Sequence, residues 1–106
     1  MVKQIFTMKR KRGMTFGEFK KYYLEVHAPL VKRSFSEIRR YVVNLALQRG
    51  KETPYDAVME IWWDDLETIV RIAKSDTYRN VIMPDEDNFL DRDCSRVVLT
   101  EESPQK

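Results

Sequence analysis

The residues from Thr15 to Arg33 form the longest helical pattern in the chain, and a proline inside it limits what that helix can do. Thr15 followed by Glu18 is a capping box, in which each side chain satisfies a backbone N–H that the first helical turn leaves unpaired. Phe16, Phe19, Tyr23, Val26 and Leu30 then recur at steps of three and four, which gives one apolar stripe for a core. The only histidine, His27, falls just beside that stripe. Pro29 has no N–H and its ring crowds the carbonyl of Glu25, so the helix is expected to kink or stop there. A histidine at such a break either caps the kinked helix or carries chemistry, and the residues alone leave both readings open.

Val2 to Met8 alternates in side-chain character and reads as a first strand, and Lys9 to Gly13 turns the chain into the helix. Ile38 to Leu47 is rich in β-branched residues and reads as a second strand. A loop over Gln48 to Pro54 leads to a third strand, Tyr55 to Asp64. Leu66, Ile69, Val70 and Ala73 have helical spacing behind a candidate N-cap, Asp65, and that helix is expected to extend toward Tyr78. Pro84 to Asp93 is an acidic segment anchored by Phe89 and Leu90, read as a short helix or ordered loop. Arg96 to Thr100 is the last strand and Glu101 to Lys106 a polar tail. This order, βαββαβ, is the ferredoxin-like arrangement of an α+β fold: a four-stranded antiparallel sheet with helices on one face. The other face needs cover, and a second copy of the chain packed against it, as a homodimer, would enclose a cleft in each protomer.

At 106 residues the chain is read as a single domain, residues 1–106, with an ordered core of about 2–102. No run approaches the ~18 apolar residues of a membrane helix, and the N-terminus lacks the apolar segment of a signal peptide, so no membrane association and a cytoplasmic location are expected. A lone Cys94 fits a reducing compartment. It also excludes a cysteine zinc site, and one histidine leaves too few nitrogen ligands for a transition metal, so no metal is expected. Residues 1–53 hold 13 Lys and Arg against 4 acids, and residues 54–106 hold 6 against 13. That asymmetry reads as solvated surface or complementary packing. Lys9 to Arg12 lacks the aromatic interleaving of a nucleic-acid site, and no strand carries the aromatic pattern of an RNA-recognition motif.

The stretches KRKRGMTFGEFKKYYLEVHAPLV, YDAVMEIWW and PDEDNFLD, in this order, resemble the EthD domain family of the dimeric α+β barrel group. The resemblance runs across most of residues 3–102. It implies a cofactor-independent enzyme, a lyase or isomerase acting as dehydratase, decarboxylase or cyclase on an aromatic or polyketide-like cyclic substrate. By resemblance, His27 is the family's helix histidine, and Asp85, Phe89 and Asp91 fall on the acidic motif of the polyketide-type branch. Tyr41 falls where related lactone isomerases carry a site tyrosine. Those isomerases use a further polar residue after the second strand, where this chain has Gln48, Arg49, Lys51 and Glu52.

Histidine suits acid–base work because its ordinary pKa of ~6.5 leaves both forms accessible near neutrality, and a carboxylate on its far nitrogen would fix the tautomer. Asp85 is the first candidate for that partner and Asp91 the second. A hairpin centred near residues 51 and 52 sets Tyr41 opposite Trp62, so that Tyr41, Glu60 and Trp62 share a sheet face and offer an aromatic wall to a phenolic ligand. A one-residue slip would exchange Trp62 for Trp63 and remove Glu60. Arg10 reads as a surface arginine. Besides an enzyme with His27 as general acid/base, the same fold admits a non-catalytic module that sequesters a small ligand. A haem-degrading monooxygenase using His27, Asn44, Trp62 and Trp63 is a further alternative.

Overall fold

In the computed structural model, which describes residues 1–106, four strands form one antiparallel sheet in the order β2-β3-β1-β4. They are β1 (Val2–Met8), β2 (Arg40–Leu45), β3 (Ala57–Trp63) and β4 (Arg96–Thr100). All helices pack on one face. The first helical stretch comprises α1 (Phe16–Tyr22), a π-helical turn (Tyr23–His27) and α2 (Ala28–Ser34). The second comprises α3 (Leu66–Ala73), a π-helical turn (Tyr78–Ile82) and α4 (Met83–Glu86). A 3₁₀ turn, Arg92–Cys94, precedes β4.

The capping box forms: Glu18 N–H donates to Thr15 Oγ1 at 3.1 Å and Thr15 N–H to Glu18 Oε1 at 2.9 Å. Pro29 does not stop the helix. The Ala28 N–H reaches back five residues to the Tyr23 carbonyl, and this wider turn moves the Glu25 carbonyl out of the way of the proline ring. A π-turn adds one residue to the helical repeat, so every apolar position after it is displaced by one. The buried stripe therefore runs Phe16, Phe19, Tyr23 and then His27, Val31 and Phe35. Val26 is 42% exposed, whereas His27 is 2% and Val31 7% exposed. The expected stripe is corrected at Val26, while Leu30 stays half-buried against the core, and His27 lies in the seam and not beside it.

The same device recurs once. The Met83 N–H bonds the Tyr78 carbonyl across a second π-turn, and Pro84 follows that turn at the offset by which Pro29 follows the first. The helix begun at Leu66, capped by Asp65 as expected, ends at Ala73 and does not continue to Tyr78. Ser75 starts the next segment instead, its Oγ accepting the Tyr78 N–H at 3.1 Å.

The register between β2 and β3 differs from expectation by one residue: Tyr41 faces Ile61, and Arg40 faces Trp62. The wide loop 46–56 imposes no tight-turn register, so burial decides it. Ala57, Met59, Ile61 and Trp63 take the core face, and Tyr41 joins them. Trp62 and Glu60 go to the open face. The end of β1 is tied down by a buried ion pair in which Arg10 donates to Asp56, wholly buried, through its backbone N–H at 2.8 Å and its guanidinium at 2.6 Å. Arg10 is thus a structural residue and not a free surface cation.

If the π-turn sets the stripe, Val26→Lys should change stability by no more than about 0.5 kcal/mol, as for an exposed site. Val31→Lys should cost more than about 3 kcal/mol by burying a charge. Urea denaturation of the two variants checks this, and the reverse ranking would restore a regular α-helical stripe.

Candidate functional site

Between the helices and the sheet lies a cavity of about 120 Å³, roughly ten times the ~10–15 Å³ that one water requires. Apart from Gln4, His27 and Glu86 its walls are hydrophobic or aromatic, with Tyr41, Trp63 and Tyr78 among them, and no Lys or Arg lines it. Each polar group arrives from a different element: Gln4 from β1, His27 from the first π-turn, Tyr41 from β2 and Glu86 from the end of α4.

His27 Nδ1 sits 2.7 Å from Asp85 Oδ2. Asp85 is brought there by the second π-turn and Pro84, and its other oxygen accepts the Tyr22 hydroxyl at 2.5 Å and the Asn88 amide at 3.3 Å. Asn88 also donates to Tyr22 Oη at 3.0 Å, so two helical segments hold one carboxylate. Burial pushes Asp85 upward, but the hydrogen bonds from Tyr22 and His27 outweigh it and keep the carboxyl below its ordinary value. Burial lowers the pKa of His27 despite the opposing pull of Asp85. A neutral imidazole beside an ionised carboxylate donates from Nδ1, which leaves Nε2 with its lone pair. No side-chain nitrogen or oxygen sealed from solvent lacks a partner; Nε2, which has none, therefore opens onto the cavity that His27 lines. Phe89, fully buried, backs the imidazole with ring centroids 4.6 Å apart.

Tyr41 lines the cavity and donates to Tyr23 Oη at 3.3 Å, and burial pushes its phenol up to about 12. Trp63 donates its indole N–H to Gln4 Oε1 at 3.0 Å. Trp62 and Glu60 are elsewhere. Trp62 lies on the open face between Lys3 and Arg40, each 4.8 Å from its ring centroid, and donates to Glu102 Oε1 at 2.7 Å. Glu60 pairs with Lys3 and accepts from Asn44 at 2.8 Å. Of the residues named for a haem site, only His27 and Trp63 border the cavity. Asp91 lies outside it, capping the 3₁₀ turn by accepting the N–H groups of Asp93 and Cys94.

Glu86 is the residue that sequence reasoning missed. It is 7% exposed, makes no hydrogen bond through its carboxyl, and lines the cavity with His27. Burial pushes its pKa up to about 7, opposed by Arg92 and reinforced by Asp87 and Asp85. A signal was available: Tyr78, Ile82, Glu86 and Phe89 recur at helical spacing, which sets an acid on an apolar stripe. Reading Pro84 to Asp93 as loop or short helix hid that periodicity.

Solved structures of several proteins share this architecture. An ethyl tert-butyl ether D (EthD) family protein from Bacillus halodurans is 22% identical with a TM-score of 0.77, covering 97% of this chain and 99% of that one. A dimeric protein of unknown function with a ferredoxin-like fold from Bacteroides fragilis is 16% identical, with a TM-score of 0.68 and 95% of each chain covered. SnoaB, a cofactor-independent oxygenase from Streptomyces nogalater, is 13% identical, with a TM-score of 0.63 over 98% of this chain and 94% of that one. These likenesses establish the ferredoxin-like fold. No functionally curated protein matches the sequence. The EthD domain profile matches residues 11–93, most of the chain, and the protein belongs to the EthD domain family.

Proposed function

We propose that this protein is a cofactor-independent acid–base enzyme of the lyase or isomerase type, acting on an aromatic or polyketide-like cyclic compound bound in the cavity. His27 Nε2 is the general base and its protonated form the general acid. Asp85 holds the tautomer and stabilises the imidazolium, and Tyr41 contacts the ring of the ligand. The observation that carries this reading is a buried imidazole paired through Nδ1 to a carboxylate at 2.7 Å, in the wall of an apolar cavity. A water-poor cavity strengthens each electrostatic contact with developing charge, and removal of a carbon-bound proton beside a ketone produces such charge.

A second reading starts from the same step. An enolate made by His27 can react with molecular oxygen, and the likeness to SnoaB favours testing this. Oxygen uptake coupled to turnover, read with an electrode, would select oxygenase over lyase or isomerase; no uptake would select the latter.

The protein is also proposed to act as a homodimer. Support comes from the dimeric relative of like fold and from the open sheet face, which carries Trp62 and a 54%-exposed Val98. Sedimentation should give a dimer that Trp62→Glu weakens at least tenfold; a monomeric parent protein would refute it.

Replacing His27 by Ala should lower kcat by about 10²–10⁴, the range for a lost general acid/base, while ligand affinity changes little. Asp85→Asn should lower kcat by up to about 10⁴ through the wrong tautomer. Turnover unchanged in the His27 variant would reduce the protein to a ligand-binding module. The acid limb of kcat/KM should lie below the ~6.5 of free histidine, because burial favours the neutral ring and the base is lost only once that ring is protonated. An acid limb above 6.5 would contradict this assignment.

A further inference from the structure

The cavity holds one ionisable group that the reading above does not use. Glu86 enters at the end of α4, with His27 on the first π-turn, Tyr41 on the sheet side, its hydroxyl bonded to Tyr23, and Tyr78 on its own helical segment. Charged groups near it are the carboxylates Asp85 and Asp87 and the guanidinium of Arg92. Asp85 is committed to His27, Tyr22 and Asn88. Arg92 donates to Asp87 at 3.3 Å. Glu86 therefore has no salt-bridge partner of its own and no hydrogen bond, and the space before it is lined by no cation. A buried carboxyl in such a place is stable as the neutral acid, a donor with one proton to give.

We propose that Glu86 is the proton donor of this cavity, serving the carbonyl oxygen of an uncharged cyclic ketone while His27 takes the carbon-bound proton. This rests on the acid–base reading of His27. In the first half, the C–H bond beside the carbonyl breaks and its proton goes to Nε2. The electron pair forms the C=C bond of an enol, and the carbonyl oxygen takes the Glu86 proton. The site then holds imidazolium and carboxylate, and the substrate stays neutral. In the second half, a β-hydroxyl takes the imidazolium proton and leaves as water. The Glu86 carboxylate reclaims the enol proton as the carbonyl re-forms, leaving an α,β-unsaturated ketone and both residues in their starting forms. With a β,γ-unsaturated ketone the intermediate is a dienol, and return of the imidazolium proton to its γ-carbon gives the conjugated ketone with the same balance. Two such groups with pKa values pushed toward one another's operating range work at one pH as acid and base. Without a cation in its walls, the cavity excludes substrates with a permanent carboxylate, phosphate or sulfate.

The test uses 2-tetralone in deuterium oxide, with exchange at its acidic ring carbon followed by NMR. The wild-type protein should catalyse exchange with an alkaline limb near pH 7. Glu86→Gln should slow exchange at least tenfold and abolish that limb, with the His27-dependent acid limb intact. Loss of exchange in His27→Ala with a fully active Glu86→Gln protein would overturn the Glu86 assignment alone; full activity in His27→Ala would overturn the underlying base assignment. Binding gives a readout without turnover: 2-naphthol should bind at least tenfold tighter than 2-naphthoate at pH 7. Naphthoate affinity should fall more steeply from pH 5.5 to 8.5 in the wild type than in Glu86→Gln, where only His27 titrates; equal affinities, or identical pH dependence in both proteins, would refute the neutral-substrate claim. Folding is checked by thermal denaturation. Because the folded pKa of Glu86 lies above the ordinary value of 4.5, its stability contribution is retained below pH 4.5 and lost as pH rises through about 7. The Gln variant should therefore melt higher at pH 8 and not at pH 4.5.

Discussion

One extra residue in a helical turn governs this molecule. The π-turn over Tyr23–His27 lets a helix pass a proline that would otherwise break it, and displaces the apolar stripe by one position. Without that displacement Val26 would face the core and the imidazole would fall at the edge of the stripe. With it, His27 rests against Phe89 and Tyr23 in the central seam. The second π-turn, before Pro84, delivers Asp85 to the imidazole. Two local departures from α-helical geometry, each followed by a proline, thus build one hydrogen-bonded pair.

The packing that holds this pair also sets its chemistry. A histidine paired with a carboxylate at the surface would be raised in pKa; here burial prevails and the ring is driven toward neutrality. The donors to Asp85 act in the opposite direction on the carboxyl and keep it charged. A buried neutral base, an ionised orienting group and a buried acid that resists ionisation are placed within two short helical segments. Such an arrangement costs stability, because Glu86 and His27 occupy positions where apolar side chains would pack at no desolvation cost. Arg10, just after β1, and Asp56, just before β3, are by contrast a hydrogen-bonded ion pair that holds the loop 46–56 against the end of β1.

Much of the fold was legible in the sequence. β1 and β4 coincide with their expected bounds, and the capping box and the Asp65 cap form as read, because each depends on residues within one turn or strand. What was not legible depends on competition across the structure. The β2–β3 register turns on which alternation is buried, and a wide loop gives no local cue. The π-turns favour steps of four, Phe19, Tyr23, His27, Val31 and Phe35 in one segment and Tyr78, Ile82 and Glu86 in the other, and such steps put a histidine and an acid on stripes where apolar residues are expected. Tyr41 reaches the cavity through the same slip that takes Trp62 and Glu60 away from it, since one residue of register exchanges the two faces of a strand. Glu86 escaped notice because an acid in an acidic segment carries no contrast until its neighbours are known to be apolar.

The account depends above all on which nitrogen of His27 carries the proton. Long-range nitrogen–proton NMR on uniformly ¹⁵N-labelled protein at pH 7 distinguishes the neutral tautomers and the imidazolium directly. The account predicts a neutral ring with a protonated Nδ1, shifted far downfield by its bond to Asp85, and an unprotonated Nε2. A ring protonated at Nε2, or an imidazolium at pH 7, would remove the base from the cavity and contradict the account at its centre.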